Sequence, residues 1–106
     1  MITSVISVVS PILLSPADNI VVLPAAVSAG TSVLIDDANV TLTEDIALGH
    51  KVARRPIAVG EKILKYGVAI GSATRAIEAG EHVHLHNMKS DYLPTYTLAK
   101  ERAFSA

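Results

Sequence analysis

Ile77-Glu78-Ala79-Gly80-Glu81-His82-Val83-His84-Leu85-His86-Asn87-Met88-Lys89 carries the pattern that decides how this 106-residue chain folds. Its first seven residues run aliphatic, two others, Gly, two others, aliphatic. The same form stands at Ile57-Ala58-Val59-Gly60-Glu61-Lys62-Ile63 and at Val27-Ser28-Ala29-Gly30-Thr31-Ser32-Val33. Gly just ahead of such a run reads as a tight turn with a positive φ that delivers the chain straight into a strand. The copies are 30 and 20 residues apart, too uneven for a solenoid. They predict a small structure that turns three similar corners.

The second half of the stretch reads as a strand. Alternate side chains of a strand share a face. His82, His84 and His86 therefore form an imidazole row, with Val83 and Leu85 behind it.

Working outward, residues 5–9 and 12–14 are rich in β-branched and aliphatic side chains, as strands prefer. Pro11 divides them. Ser15-Pro16-Ala17-Asp18-Asn19 has turn composition, and Ile20-Val21-Val22-Leu23 is a short buried strand. Val40-Thr41-Leu42-Thr43 alternates as a half-buried strand, and Tyr66-Gly67-Val68-Ala69-Ile70-Gly71 is another with glycines near its ends. No segment before Leu93 keeps a 3.6-residue apolar period. Residues 74–79 have room for one helical turn, and residues 98–104 read as either a helix or a loose tail. The predicted class is all-β, short twisted strands with at most a short helix, as one domain over residues 1–90 with a tail at 91–106.

Composition narrows the function classes. Half the residues are hydrophobic but only four are aromatic, so the core is aliphatic. No cysteine is present, which excludes disulfides, thiolate metal sites and cysteine nucleophiles. The net charge of −1 and the lack of a Lys/Arg run argue against nucleic acid as a partner. Residues 1–14 are apolar but lack a positive n-region and are broken by Ser and Pro, so they read as strand material in a cytoplasmic protein, with no membrane partner. Asp18 is the only charge in the first 35 residues, more apolar surface than one small core needs. A subunit interface, within a homo-oligomer or with another chain, is the expected use. There is no nucleophile elbow, phosphate loop or dinucleotide fingerprint.

Three readings of the imidazole row stand at this level. Two histidines at i and i+2 on a strand are about 6.5–7 Å apart at Cα and can converge on one ion; the outer pair, at about 13 Å, cannot easily join them. A metal site would use one adjacent pair with a group from elsewhere, His50 being the obvious candidate. Imidazole also suits substrate contact or acid–base work near neutral pH. The third reading is a solvated strand face. Gly49 ahead of His50-Lys51 lets backbone approach a ligand. If residues 50–51, 65–66 and 82–89 meet, Lys51, Lys65 and Lys89 make a cationic, donor-rich site suited to a small polyhydroxy carboxylate. Tyr66 reads equally well as a packing residue with a wet hydroxyl. A domain this small is a poor candidate for a whole active site, since ligand pockets occupy several hundred Å³.

Gly49-His50-Lys51-Val52-Ala53, the run from Ile57 through Lys65-Tyr66-Gly67 to Gly71 and Ala73, and Gly80-Glu81-His82-Val83-His84-x-His86-Asn87-Met88-Lys89 together resemble the SAF-type domain of the altronate/galactarate dehydratase family. The resemblance covers roughly residues 12–90. It implies a β-clip fold, either fused to a large catalytic region or present as a separate small subunit; the small-subunit form is expected here. It implies a lyase that removes water from an aldonate or aldarate such as altronate or galactarate. The sulfolactate sulfo-lyase small subunit, which eliminates sulfite, is the alternative within the family. A non-enzymatic ligand-binding or chaperone-like module is the alternative outside it. On the matched positions, His50, His84 and His86 are expected to line a composite catalytic site. Lys51, Lys65, Tyr66, Asn87 and Lys89 are expected to contact substrate, with Asn87 and Lys89 near its carboxylate. The resemblance also implies a divalent metal, iron being the expected ion, held by the large subunit; which residues ligate it is left open.

Overall fold

The computed structural model describes residues 9–91. They form eight short antiparallel strands, with no helix among them. β1 (Ile20–Val22), β4 (Lys51–Ala53) and β7 (His82–Val83) make a central sheet in the order β1-β4-β7. β2 (Ser32–Ile35) and β3 (Ala38–Thr41) form a hairpin. β5 (Lys62–Lys65), β6 (Val68–Ala73) and β8 (Met88–Lys89) form a second three-stranded sheet.

The hydrogen bonds show one plan executed twice. The Gly49 N–H donates to the Leu23 carbonyl and the Leu23 N–H to that of His50; Gly80, Ala53 and Glu81 repeat this arrangement. The bridge between Val27 and Ile46 recurs between Ile57 and Ile77. Gly30 and Gly60 donate to Leu42 and Ala73, which donate back to Thr31 and Glu61. The offset is 30 residues before the hairpin (23 to 53, 27 to 57) and 31 after it (42 to 73, 46 to 77). The added residue is Ile70. The register steps from Ile63 opposite Gly71 to Leu64 opposite Ala69, leaving Ile70 as a bulge. Each hairpin turns on two residues with positive φ, Asp36-Asp37 (51° and 66°) and Tyr66-Gly67 (58° and 74°), the twist that suits a two-residue hairpin.

The plan contains a fourth corner. Ile46-Ala47-Leu48-Gly49-His50-Lys51-Val52 has the same form as the three read from sequence, and Gly49 has φ 83° against 83–88° at the others. In two corners the residue after Gly is a Glu that folds back: Glu61 accepts from the Ala58 N–H and Glu81 from the Glu78 N–H. At Gly49 that position is His50.

Side chains of the central sheet alternate between two small cores. Val21 and Val52 join Leu23, Val27, Val33, Ile35, Leu42 and Ile46. Ile20, Ala53 and Val83 join Ile57, Ile63, Ala73 and Ile77. The cores match position by position, Val33 with Ile63 and Ile46 with Ile77, so each hairpin covers one face of the same sheet. A fully buried aliphatic side chain contributes about 1.5–3 kcal/mol, and both cores draw part of theirs from the shared central sheet. Buried polar groups join the halves. Asn19 donates to the Lys62 carbonyl and accepts from the Leu64 N–H. The Asp18 carboxylate accepts from the Tyr66 and Gly67 N–H groups at the second hairpin turn.

Three expectations need correction. Residues 12–14 are not a strand; Ile12 alone bridges Val22. Residues 74–79 hold no helical turn, because Ile77 must be extended to bridge Ile57. The strand that starts at His82 ends at Val83, and residues 84–87 turn. Of the expected strand at 5–9, Val9 is described and is not in a strand, while residues 5–8 and the expected helix at 98–104 lie outside the described residues.

Candidate imidazole site

β4 and β7 position the site. Their register sets Val52 opposite His82 and Lys51 opposite Val83. Cross-strand partners share a face, so His82 stands on the Val52 side and Lys51 on the other, between Val22 and Val83. Lys51 is therefore half-buried. Burial, and then the charge of Lys65, hold its ammonium below the usual lysine range.

Beyond Val83 the chain does not extend. Asn87 is fully buried and closes a tight turn: its Oδ1 accepts from the His84 N–H at 2.9 Å and its Nδ2 donates to the His82 carbonyl at 2.8 Å. The Asn87 N–H also donates to the His84 carbonyl, at 3.1 Å. The turn folds the predicted row back on itself. The His82 and His86 ring centroids are 5.4 Å apart, and the His82 and His84 rings stack at 5.5 Å with planes 7° apart.

His50 arrives from the fourth corner. Its Nδ1 lies 2.9 Å from His82 Nε2, a contact in which one ring carries the proton and the other accepts it. Its ring is 5.3 Å from that of His84. Desolvation lowers His82 below the ordinary histidine value, the Glu44 carboxylate opposes this, and the neighbouring imidazoles add to it. His84 is lowered by desolvation and then by Lys51, His50 and His86. Near neutral pH both rings are biased toward the neutral form, which can accept a proton or a metal.

Of the expected site residues, the structure gathers His50, His84 and His86 around His82, with Lys51 near enough for its charge to act on His84, and Lys65 near enough to act on Lys51. Tyr66 is at the tip of the second hairpin, its ring exposed. Lys89 is on β8 opposite Ser72, its charge acting on Asp91. Both Asn87 side-chain polar atoms are engaged in the turn. Glu44 is a member that no motif singles out in sequence; it enters because it comes close to His82 and His86 in the fold.

Among the described residues, two ligand sets have atoms all within 4.8 Å of one another: His50, His82 and His84, and Glu44, His82 and His86. Both draw on His82. The first is the adjacent pair plus His50 that strand geometry favours for a single ion. Its three imidazoles fit a divalent transition metal. The imidazoles line neither the concavity formed by Thr41, Thr43, Glu44 and residues 78–81 nor the one formed by residues 26–28 and 45–47. His84 and His86 are exposed.

These features define a small all-β, β-clip module with an imidazole-rich edge. The chain belongs to the SAF domain family of altronate/galactarate dehydratases, whose family model matches residues 9–91. It is 46% identical over 74 residues to altronate dehydratase of Escherichia coli strain K12 and 32% identical over 74 residues to that of Bacillus subtilis strain 168. Each alignment covers 70% of this chain and 15% of the relative, so the chain spans a small part of those dehydratases. It is also 41% identical over 54 residues to the (2R)-sulfolactate sulfo-lyase subunit alpha of Paracoccus pantotrophus, covering 51% of this chain and 81% of that protein. No helix among the described residues is long and apolar enough to cross a membrane.

Proposed function

We propose that this chain is the small subunit of a lyase that eliminates water from a sugar acid, an aldonate or aldarate, and that its imidazole edge is one wall of an active site completed by a large catalytic subunit. The observation that carries this reading is the convergence of His50, His82 and His84, within reach of the Lys51 charge, with His84 exposed. The small-subunit form is supported by the sulfo-lyase subunit alpha, a protein named as a subunit and matched over 81% of its length.

The chemistry required is a β-elimination. A base takes the proton from the carbon beside the carboxylate, the electron pair forms a C=C bond, and the β-hydroxyl leaves as water after taking a proton from an acid. The resulting enol tautomerises to the 2-keto-3-deoxy acid. A neutral imidazole, His84 being the exposed one with a lowered affinity for protons, is suited to accept the first proton. The His50–His82 pair can pass a proton between its rings and so return one to the leaving group. Lys51, with Lys65 beside it, neutralises charge as the carboxylate becomes an enediolate. A divalent metal held by the large subunit would polarise the carboxylate or the leaving oxygen, leaving the imidazoles of this chain to move protons.

The test is to mix the 106-residue chain with its large subunit and follow 2-keto-3-deoxy acid formation from altronate and galactarate. Turnover by the pair and by neither chain alone is expected. The relatedness to sulfo-lyase subunits keeps sulfite elimination as the second reading, and sulfite release from (2R)-sulfolactate with no turnover of sugar acids would select it. Turnover of none of these acids would favour a non-enzymatic module.

A further inference from the structure

The geometry points to a binding site on this chain for one divalent first-row transition metal, ligated by His50 Nδ1, His82 Nε2 and an imidazole nitrogen of His84, with a coordination position open to an incoming ligand. An ion here is additional to the one expected on the large subunit, and while it is bound His50, His82 and His84 act as its ligands and not as proton carriers. The site lies on the edge used by the lyase reading but does not need that reading to hold.

Metal–imidazole bonds are about 2.0–2.1 Å, which sets two ligands of one ion about 2.9–3.4 Å apart for angles between 90° and 109°. His50 Nδ1 and His82 Nε2 are 2.9 Å apart, so inserting an ion asks at most about half an ångström of opening by that estimate. A His84 nitrogen lies within 4.8 Å of a ligand nitrogen on each of the other two rings, and the side chain is exposed. The other two ligands are fixed by backbone. His50 follows the Gly49 corner, whose N–H is bonded to the Leu23 carbonyl, and His82 is paired to β4. Asn87 holds the turn that carries His84.

An all-imidazole set suits zinc, cobalt, nickel, copper or iron and is unsuited to magnesium or calcium, which take oxygen ligands. Three protein ligands on an open edge match the pattern of sites that keep a position for water or substrate. Lys51 and Lys65 oppose a bare cation there, whereas Glu44 favours one. The same lysines favour an anionic ligand on the open position, so a carboxylate should bind with the metal better than without it. Glu44, His82 and His86 are the competing set. Two of its three members are exposed, whereas only His84 is exposed in the first.

The test uses the full chain, stripped by chelator, with Co²⁺ and Zn²⁺ titrated by calorimetry and Co²⁺ followed by visible absorption. One ion per chain and ligand-field bands in the visible are expected. His50→Ala, His82→Ala and His84→Ala should each weaken binding at least about tenfold, since even the outer partners of metal ligands are worth about 10–100-fold, while His86→Ala and Glu44→Gln stay within about twofold. His84 is exposed, so its variant should keep the wild-type unfolding midpoint, and its result stands even if another variant fails to fold. No saturable binding, or full affinity in His84→Ala, overturns the proposal; so does loss confined to His82→Ala, Glu44→Gln and His86→Ala, which would put the ion on the other set. These measurements need no substrate or large subunit, so their failure leaves the lyase reading intact, and an inactive reconstituted lyase leaves them intact.

Discussion

Replacing Asn87 with Ala should release the turn that carries the imidazoles, and the cost can be worked from the structure. The side chain is fully buried and makes two hydrogen bonds, accepting from the His84 N–H and donating to the His82 carbonyl. A buried polar group left without its partner costs about 1–3 kcal/mol. The His82 carbonyl bears that cost; His84 is exposed, so its N–H can recover water and adds little. With a small cavity, the total is about 2–4 kcal/mol. At about 4–8 °C per kcal/mol for a domain of this size, the melting temperature should fall by roughly 10–25 °C. Urea unfolding gives the free energy directly, and an unchanged m-value shows that the folded state is still compact. Asn87→Asp should be no milder, because it sets a carboxylate oxygen against the His82 carbonyl. A loss under about 1 kcal/mol would refute the reasoning and return Asn87 to the role of a substrate contact.

Two further predictions concern the fold and its pH response. Gly60 and Gly80 share a φ near 84°, but an added Cβ at Gly60 meets nothing while one at Gly80 runs into Val40 Cγ1. Gly60→Ala should therefore cost about 1–2 kcal/mol for the left-handed backbone alone, and Gly80→Ala about 1–3 kcal/mol more for the clash; equal losses in urea unfolding would refute the packing of this corner. Because His82 and His84 are lowered in the folded chain, the unfolded chain takes up these protons first. Stability should be full above the ordinary histidine value near 6.5 and decline as pH falls below it, under the joint influence of Glu44, His50, His86 and Lys51. Thermal unfolding between pH 5 and 8 should show that slope, flattened in a His82→Gln/His84→Gln variant; a slope of the opposite sign contradicts it.

The corners were legible because Gly with a flanking aliphatic is a local signal, and backbone geometry confirms each. The fourth was missed because His50-Lys51 drew attention as a polar pair and hid that Ile46 and Val52 complete the same form. The doubling of the whole plan escaped because Ile70 breaks the period and because its evidence is hydrogen bonding between residues far apart in sequence. The imidazoles were found as residues but misread as geometry. Alternation predicts a flat row; the row is folded by Asn87, whose polar side chain gives no sign in sequence that it turns inward. Asp18 and Asn19 were read as turn composition for the same reason, although their side chains are buried and tie the halves together. The meeting of His50 with His82 required the β4–β7 pairing, which no short stretch encodes.

The central claim is that the edge built by His50, His82, His84 and Lys51 works as part of an active site. The direct measurement is steady-state turnover by the complex of this chain with the proposed large subunit, comparing wild type with His84→Ala and Lys51→Met. Acid–base and charge-stabilising groups are each worth about 10²–10³-fold, so kcat should fall by at least about a hundredfold in each variant while the two chains still co-purify. Wild-type turnover in both variants, with the complex intact, would contradict the account.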